Sequence, residues 1–160
     1  MIDNFDERFD RAFALVAYTA NRHILEHMRR ITLELDMDFD SVFIWGTLAH
    51  LNVAPLLTPG SDPVLANGSV GDESGLKPVR LADLAQITGF PRETVRRKLL
   101  HLESRGKVEK TFDGRWRFAL AGIDAKACAF TRESVLRLLK TADAVEEILA
   151  RVPVKVRAKA

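Results

Sequence analysis

The 160-residue sequence predicts a mainly α-helical fold with one small β-hairpin and with long helices towards both ends of the chain. Three observations support this fold class. Apolar residues recur every three or four positions in most segments, as on one face of an amphipathic helix. Two short alternating segments are joined by Asp113-Gly114, a dipeptide typical of tight hairpin turns. The hydrophobic content of 47% is sufficient for a packed core.

The first predicted element is a long amphipathic helix from about Asp6 to Leu35. Its apolar stripe consists of Phe9, Phe13, Val16, Ala20, Ile24, Met28, Ile31 and Leu35. A second helix, DSVFIWGTLAHL, is predicted to begin behind Asp40 or Ser41, because either side chain can accept hydrogen bonds from the free N–H groups of a first turn. This helix is apolar on most sides, so we expect it to be buried.

A long loop is predicted between Asn52 and Pro78, where four prolines and four glycines interrupt regular structure. Two interpretations remain open for this loop. Either it covers part of the core or it is mobile; the apolar residues concerned are Leu56, Leu57, Val64 and Leu65.

Short elements follow the loop. RLADLAQI is predicted to form a short helix, Thr88 to Pro91 a turn, and Pro91 to Ser104 a second helix. Proline suits a first helical turn because its missing N–H is not needed there. The segments KVEKTF and RWRFAL are predicted to form two strands around Asp113-Gly114, with positive φ at both turn residues.

The last predicted helix begins behind Thr131 and ends at Pro153, before the basic tail VKVRAKA. Its stripe consists of Val135, Leu138, Ala142, Val145, Leu149 and Val152. The chain therefore divides into an N-terminal helix at 1–36, a central region at 37–120 that includes the loop at 52–78, and a C-terminal helix with its tail at 121–160.

Composition argues against several classes of protein. No stretch approaches the ~18 uninterrupted apolar residues of a membrane span, and the acidic N-terminus is unlike a signal peptide, so we expect a cytoplasmic protein. The single cysteine, Cys128, cannot form an internal disulfide, and we expect it to be a small buried residue. No phosphate loop or Ser/His/Asp set is apparent, so we predict neither an enzyme nor a cofactor.

Charge is unevenly distributed along the chain. Residues 77–117 carry eleven Lys and Arg against five Asp and Glu, a net charge of +6. Because the whole chain has a net charge of +2, the remainder sums to −4. A basic region within an otherwise acidic chain indicates an anionic partner for that region.

Helix, Gly-containing turn, helix and hairpin follow one another in the order of a winged helix-turn-helix. The segment LADLAQITGFPRETVRRKLLHLESRGKVEK resembles the DNA-binding part of bacterial transcription regulators, above all the cyclic-AMP receptor protein family, whose recognition helix carries a similar Arg-Glu-Thr-Val run. The layout is also similar to that of MarR and IclR regulators. The resemblance covers about forty of 160 residues and does not include a nucleotide-binding domain.

Nine residues are predicted to contact DNA. They are Arg92, Glu93, Thr94, Arg96, Arg97 and Lys98 on the helix, and Lys110, Arg115 and Arg117 on the hairpin. Helical geometry directs Glu93 and Arg97 away from the apolar face, while Lys98 lies near its edge. The resemblance implies that Arg92, Glu93 and Arg97 approach bases and that Thr94 touches phosphate. Pro91 departs from the pattern, because relatives often have a Ser that contacts the backbone there.

The terminal helices carry more apolar surface than the central region needs, which favours a homodimer joined through both ends of the chain. This arrangement resembles MarR regulators and would separate two recognition helices by ~34 Å on a palindromic operator. The alternative is that both helices fold back on their own central region. A second alternative is a protein-interaction adaptor that reuses the winged fold without binding DNA.

Two further groups of residues have open interpretations. His23 and His27 share one helix face but have no firm third ligand, so we expect no metal site; they either flank the apolar stripe or contact a partner helix. A set of aromatic residues forms either plain core or the lining of a small-molecule effector cavity; it consists of Phe9, Phe13, Phe39, Phe43 and Trp45. His50 is expected to pack in the core.

Overall fold

The computed structural model describes residues 4–56 and 75–153. The helices in these ranges are α1 (Phe5–Glu34), α2 (Phe39–Val53), α3 (Leu81–Thr88), α4 (Arg92–Ser104) and α5 (Ala125–Ala150). Strands β1 (Val108–Lys110) and β2 (Trp116–Phe118) form an antiparallel hairpin. The predicted mainly helical fold with a small hairpin is therefore confirmed. Most of the predicted loop, residues 57–74, and the basic tail, residues 154–160, lie outside the described residues.

The chain divides into two compact units. The first consists of Met1–Leu35 together with Ala127–Ala160 and contains α1 and nearly all of α5. The second is Asp36–Lys126 and contains α2, α3, α4 and the hairpin.

The first unit is an antiparallel pair of long helices. The guanidinium of Arg8, near the start of α1, donates to the carbonyl oxygens of Leu149, Ala150 and Val152 at 2.9, 3.2 and 2.7 Å. It thereby binds carbonyl oxygens at and just beyond the C-terminal end of α5, where helix carbonyls have few partners within the helix.

The opposite end of this pair is held by Arg30, which is buried although it is charged. Its guanidinium forms two bonds of 2.7 and 2.8 Å with the carboxylate of Glu34 and a third, of 3.2 Å, with the hydroxyl of Ser134. The guanidinium carbon also lies 4.8 Å from the ring centre of Phe130. These contacts offset much of the cost of burying the charge.

The second unit has an apolar core to which every element contributes. Its buried side chains include Ile44 and Leu48 of α2, Leu84 of α3, Val95, Leu99 and Leu102 of α4, and Val108, Trp116 and Phe118 of the hairpin. Their spacing on α4 is the one predicted from the sequence. Each such side chain contributes roughly 1.5–3 kcal/mol when removed from water.

Asn52 joins three parts of this unit through one fully buried side chain. Its Nδ2 donates to the carbonyl oxygen of Lys77 at 2.8 Å, and its Oδ1 accepts from the backbone N–H of Phe118 at 2.8 Å. Close to this point, Val79 and Trp116 exchange two backbone hydrogen bonds of 2.8 Å in an isolated antiparallel bridge. Asn52 therefore links α2 both to the segment before α3 and to β2.

The prediction of a two-residue Asp-Gly turn is wrong. The φ angle is positive at Gly114, at 80°, but not at Asp113. The N–H of Gly114 donates to the carbonyl of Thr111, and the N–H of Thr111 donates to the carbonyl of Arg115. The loop is thus a tight turn closed by a left-handed glycine, the common three-residue form of hairpin.

Three predicted boundaries also differ from the structure. The N-cap of α2 is Asp38 rather than Asp40 or Ser41, because the Asp38 carboxylate accepts from both the N–H and the hydroxyl of Ser41. This helix also extends through Asn52, the predicted start of the loop.

The last helix begins at Ala125, six residues before the predicted cap at Thr131. Asp124 directly precedes it and is a residue type favoured at helix starts. The prediction that Cys128 is buried is also wrong. Cys128 is exposed, whereas Ala127, 100° away around the helix, is buried.

The base of the hairpin is closed by the segment that follows it. Lys107 Nζ donates to the carbonyl of Gly122 at 2.8 Å and to the carboxylate of Asp124 at 2.7 Å. A Cβ atom at Gly122 would lie 2.8 Å from the Cα of Lys107 and 2.9 Å from the carbonyl oxygen of Gly106. Only glycine therefore fits at position 122 without a shift of the backbone.

Candidate nucleic-acid interface

One face of α4 packs into the core of the second unit and the opposite face is polar. The buried side chains are those of Val95, Leu99 and Leu102. Arg92, Glu93, Arg96 and Arg97 are all exposed, as the periodicity predicts, and Thr94 is half-buried. The helix follows α3 after the three residues Gly89, Phe90 and Pro91. Gly89 ends α3 with a φ of 72°, a conformation that a glycine adopts without strain.

Arg92 and Arg97 are the two arginines of α4 whose donors have no hydrogen-bond acceptor among the described residues. Within the described residues, neither guanidinium has a hydrogen bond or an ion pair, and both side chains are exposed. A free guanidinium presents five N–H donors in a planar fork that matches phosphate oxygens or the edge of a guanine. These two side chains are therefore ready to bind an anion or a base edge without first breaking an existing bond.

Glu93 and Arg96 instead bind each other. The two carboxylate oxygens accept from Nε and Nη2 of Arg96 at 2.8 and 2.6 Å. These hydrogen bonds lower the pKa of Glu93 below its ordinary value and raise that of Arg96. Glu93 could accept from a cytosine only by sharing or giving up this partner, and the same holds for a contact between Arg96 and phosphate.

Lys98 does not join this surface. Its ammonium lies 2.6 Å from Oδ1 of Asp38, the N-cap residue of α2, and the Lys98 side chain is 18% exposed. Burial opposes the ionisation of Asp38, but hydrogen bonds from Lys98 and Ser41 outweigh it and lower the pKa of Asp38 from 3.8 to about 2. Lys98 thus connects α4 to α2, whereas the sequence predicts that it extends into solvent.

The Asp38–Lys98 ion pair should make stability depend on pH in acid. Because the folded-state pKa of Asp38 is below its unfolded value, its contribution is complete above pH 3.8 and is lost as the pH falls towards 2. Asp38→Asn keeps a good N-cap but removes the charge. We expect it to lower the free energy of unfolding at pH 7 by about 1 kcal/mol, after allowance for solvent screening of this half-exposed carboxylate.

Urea unfolding at pH 7 and at pH 2.5 measures this effect, with Asp40→Asn as the control in the first turn of the same helix. The difference between wild type and Asp38→Asn should shrink at the lower pH. An equal difference at both pH values would contradict an electrostatic origin.

The three predicted cations of the hairpin differ in their partners. Arg117 pairs with Glu109 on the neighbouring strand, and its side chain is 26% exposed. Arg115 lies 3.0 Å from the carboxylate of Asp113 and is half exposed. The ammonium of Lys110 lies 5.9 Å from the ring centre of Trp116 and remains exposed. Lys110 and Arg115 are therefore more accessible than Arg117.

Sequence reasoning missed the cleft beside the hairpin. Arg115 lines an open cavity of about 410 Å³ together with Lys77 and Arg80. Arg80 is held by two bonds of 2.8 and 2.9 Å to the carboxylate of Asp83, which also lines the cavity. Three cations against one acid give this cleft a positive charge. The only signal for it in the sequence is the basic composition of residues 77–117.

The two histidines of α1 contact α5, which is one of the two expected alternatives. Their rings stack with centres 6.3 Å apart; Nδ1 of His23 lies 3.2 Å from the hydroxyl of Thr141, and His27 packs on Phe130. Burial, followed by the nearby charges of Arg30 and His23, lowers the pKa of His27. In the described part of the chain, no three His, Cys, Asp or Glu residues are close enough to hold a metal ion.

Four of the five aromatic residues considered for an effector cavity contact neighbours in their own units. In the first unit, Phe9 packs against Phe13 at 5.7 Å between ring centres. In the second, Phe43 packs against Phe90, and Nε1 of Trp45 donates to the carbonyl of Lys107. His50, which was expected in the core, is exposed, and its Nδ1 lies 2.9 Å from the carbonyl oxygen of Gly46.

No helix among the described residues is long and apolar enough to cross a membrane. No protein-family model and no curated protein matches the chain.

Proposed function

We propose that this chain is a cytoplasmic, homodimeric, winged helix-turn-helix regulator that binds duplex DNA site-specifically and alters transcription at its operator. In this assignment α3 and α4 are the helix-turn-helix, α4 is the recognition helix, and β1 and β2 are the wing. The order of elements, the Gly89 turn and the bridge between Val79 and Trp116 all suit a winged fold.

The observation that carries the proposal is the pair of free guanidinium groups of Arg92 and Arg97 on the exposed face of α4. An α-helix fits the major groove, where an arginine can bond bidentately to guanine. Lys110 and Arg115 would contact phosphates from the wing. Such contacts supply affinity and orientation without reading sequence.

In the first unit, more large apolar side chains are exposed than are buried, and this supports a dimer. Among its described residues, twelve large apolar side chains are at least 40% exposed, whereas five apolar side chains are buried. Leu25 and Leu33 of α1 are 66% and 65% exposed, and Leu139 of α5 is 56% exposed. A second copy of the same helix pair would cover these faces as a four-helix bundle, in which each apolar face is buried by its equivalent.

Placing a charge on this face should separate the copies. We expect Leu139→Glu to raise the dissociation constant of the dimer at least about 100-fold, because a buried, unpaired carboxylate costs several kcal/mol. Light scattering at micromolar concentration should give about twice 17.9 kDa for wild type and a mass near 17.9 kDa for the variant. Lys140→Glu, which adds a carboxylate at the next position, is the control and should remain dimeric.

A wild-type mass of 17.9 kDa at micromolar concentration would contradict the dimer. The same mass shift in both variants would show that any added carboxylate on α5 is disruptive, and would remove the support for this face.

Selection of bound fragments from a random duplex pool tests DNA binding, half-site symmetry and half-site spacing together. We expect an enriched, palindromic sequence with half-sites about one helical turn apart. Titration with salt should then give a linear fall of log affinity against log salt concentration, with a slope of several phosphate contacts. Recovery of no enriched sequence, together with no binding at low salt, would contradict the proposal.

One observation favours the second candidate, an adaptor that binds a protein through the same unit. Leu100 lies on the outward side of α4 and is 42% exposed, and Ile87 of α3 is also exposed. Exposed apolar side chains on the same two helices as the cations would suit a protein surface. Leu100→Gln distinguishes the two functions, because it should leave DNA binding unchanged but weaken a protein contact, whereas Leu100→Asp should weaken either.

A further inference from the structure

Phe112 lies at the tip of the hairpin and is fully exposed, at 109% of its reference surface. It contributes nothing to the core of the second unit, to which the hairpin contributes Val108, Trp116 and Phe118 instead. A Phe side chain held entirely in water is unfavourable by ~1.5–3 kcal/mol relative to burial. No described feature of the fold requires an aromatic residue at this position.

The turn that carries Phe112 is closed by hydrogen bonds and an ion pair of its own side chains. The hydroxyl of Thr111 donates to the carboxylate of Asp113 and lies 3.0 Å from the carbonyl oxygen of Arg115. The carboxylate of Asp113 also pairs with Arg115. Phe112 therefore projects from a turn whose two neighbouring positions are cross-linked by hydrogen bonds and an ion pair.

The turn that carries the ring is polar and has a net positive charge. Lys110 lies two residues before Phe112 and Arg115 three residues after it, against the single carboxylate of Asp113. A lone aromatic ring offers ~150–250 Å² of apolar surface, well below the ~800 Å² that each partner buries in a standard protein interface. One apolar ring between cations instead matches the side chains that enter the minor groove and separate base pairs.

We propose that Phe112 is an apolar wedge that enters the minor groove of duplex DNA, partly unstacks one base step and bends the duplex. This inference rests on the proposed function. In it, Lys110 and Arg115 contact the phosphates on either side of the groove. The ring leaves water only in the complex, so its exposure in the free protein becomes a source of affinity.

The test uses full-length protein and a 30-base-pair duplex of the sequence most enriched in the selection, with a fluorophore at each end. Wild type should increase energy transfer between the ends, because bending brings them together. Phe112→Ala should abolish most of that increase and weaken binding about tenfold, as expected for loss of a stacked aromatic ring. Phe112→Leu, which keeps an apolar wedge, should retain most of both effects.

Ile123→Ala is the matched control, since Ile123 is an exposed apolar residue of the same unit that lies outside the hairpin. It should bind and bend DNA like wild type. A second measurement, of base unstacking, uses 2-aminopurine placed at successive steps of the duplex. Its fluorescence should rise at one step with wild type and not with Phe112→Ala.

Three outcomes would overturn the wedge, and they differ in what they imply for the proposed DNA-binding function. If wild type and Phe112→Ala bind and bend the duplex equally, the wedge is wrong and the DNA-binding function stands. If wild type binds no duplex, the proposed function fails and the wedge falls with it. Loss of binding in Phe112→Ala without any bending by wild type would also overturn the wedge.

Discussion

Asn52→Ala should lower the free energy of unfolding by about 3 kcal/mol or more, because it leaves buried backbone groups without partners at a cost of ~1–3 kcal/mol each. The carbonyl of Lys77 would lose its donor, and the N–H of Phe118 would lose its acceptor. Both lie around a side chain with no exposed surface, so water cannot readily replace the lost bonds.

Urea unfolding followed by circular dichroism measures this loss. Asn21→Ala makes the same chemical change at an exposed position of α1 and should alter stability by no more than about 0.5 kcal/mol. A loss below 1 kcal/mol for Asn52→Ala would show that the amide is not the link between α2 and β2 that its contacts indicate.

Arg97→Ala should remove selectivity between specific and random duplex, with a loss of specific affinity of about 10- to 100-fold, since one bidentate base contact is worth ~1–3 kcal/mol. Arg92→Ala should act in the same way. Their guanidinium groups form no hydrogen bond or ion pair within the described residues, so stability should change little. Lys110→Ala should instead weaken binding to both duplexes about equally and reduce the salt slope by about 1.

Fluorescence anisotropy with an enriched and a random duplex measures both affinities. The control is Arg132→Ala, which removes an exposed arginine from the first unit. Equal loss of specific and random binding in Arg97→Ala and Lys110→Ala would contradict the division between base and phosphate contacts.

Local signals predicted the central helices well. The structure has α3 at Leu81–Thr88 and α4 at Arg92–Ser104, within about one residue of the predicted ranges. Apolar spacing, the glycine between the helices and the proline before α4 all act within a few residues of chain, which is why sequence alone can identify them.

Tertiary contacts account for most of what the sequence could not indicate. The sequence predicts that Asn52 begins a loop because prolines and glycines follow it, whereas its bonding partners lie 25 and 66 positions away. Arg30 is buried against α5, and no role was predicted for it from the sequence. Neither role has a local signature.

The candidate site was predicted only in outline for a related reason. Periodicity directs Glu93, Arg96 and Arg97 outwards but does not decide which arginine binds the carboxylate, because partners three and four positions away are both within reach. In the structure Arg96, which is three positions from Glu93, pairs with this carboxylate. Lys98 likewise could extend into water or pair with Asp38, and only the packing of α2 on α4 selects the second.

The close approach of Gly122 to Gly106 and Lys107 has a consequence for engineering this protein. That contact and the hydrogen bond from Lys107 to Gly122 hold both strands at their base. The turn between the strands can therefore be replaced by other sequences. Grafting loops of other lengths between β1 and β2 would then leave the scaffold beneath them intact.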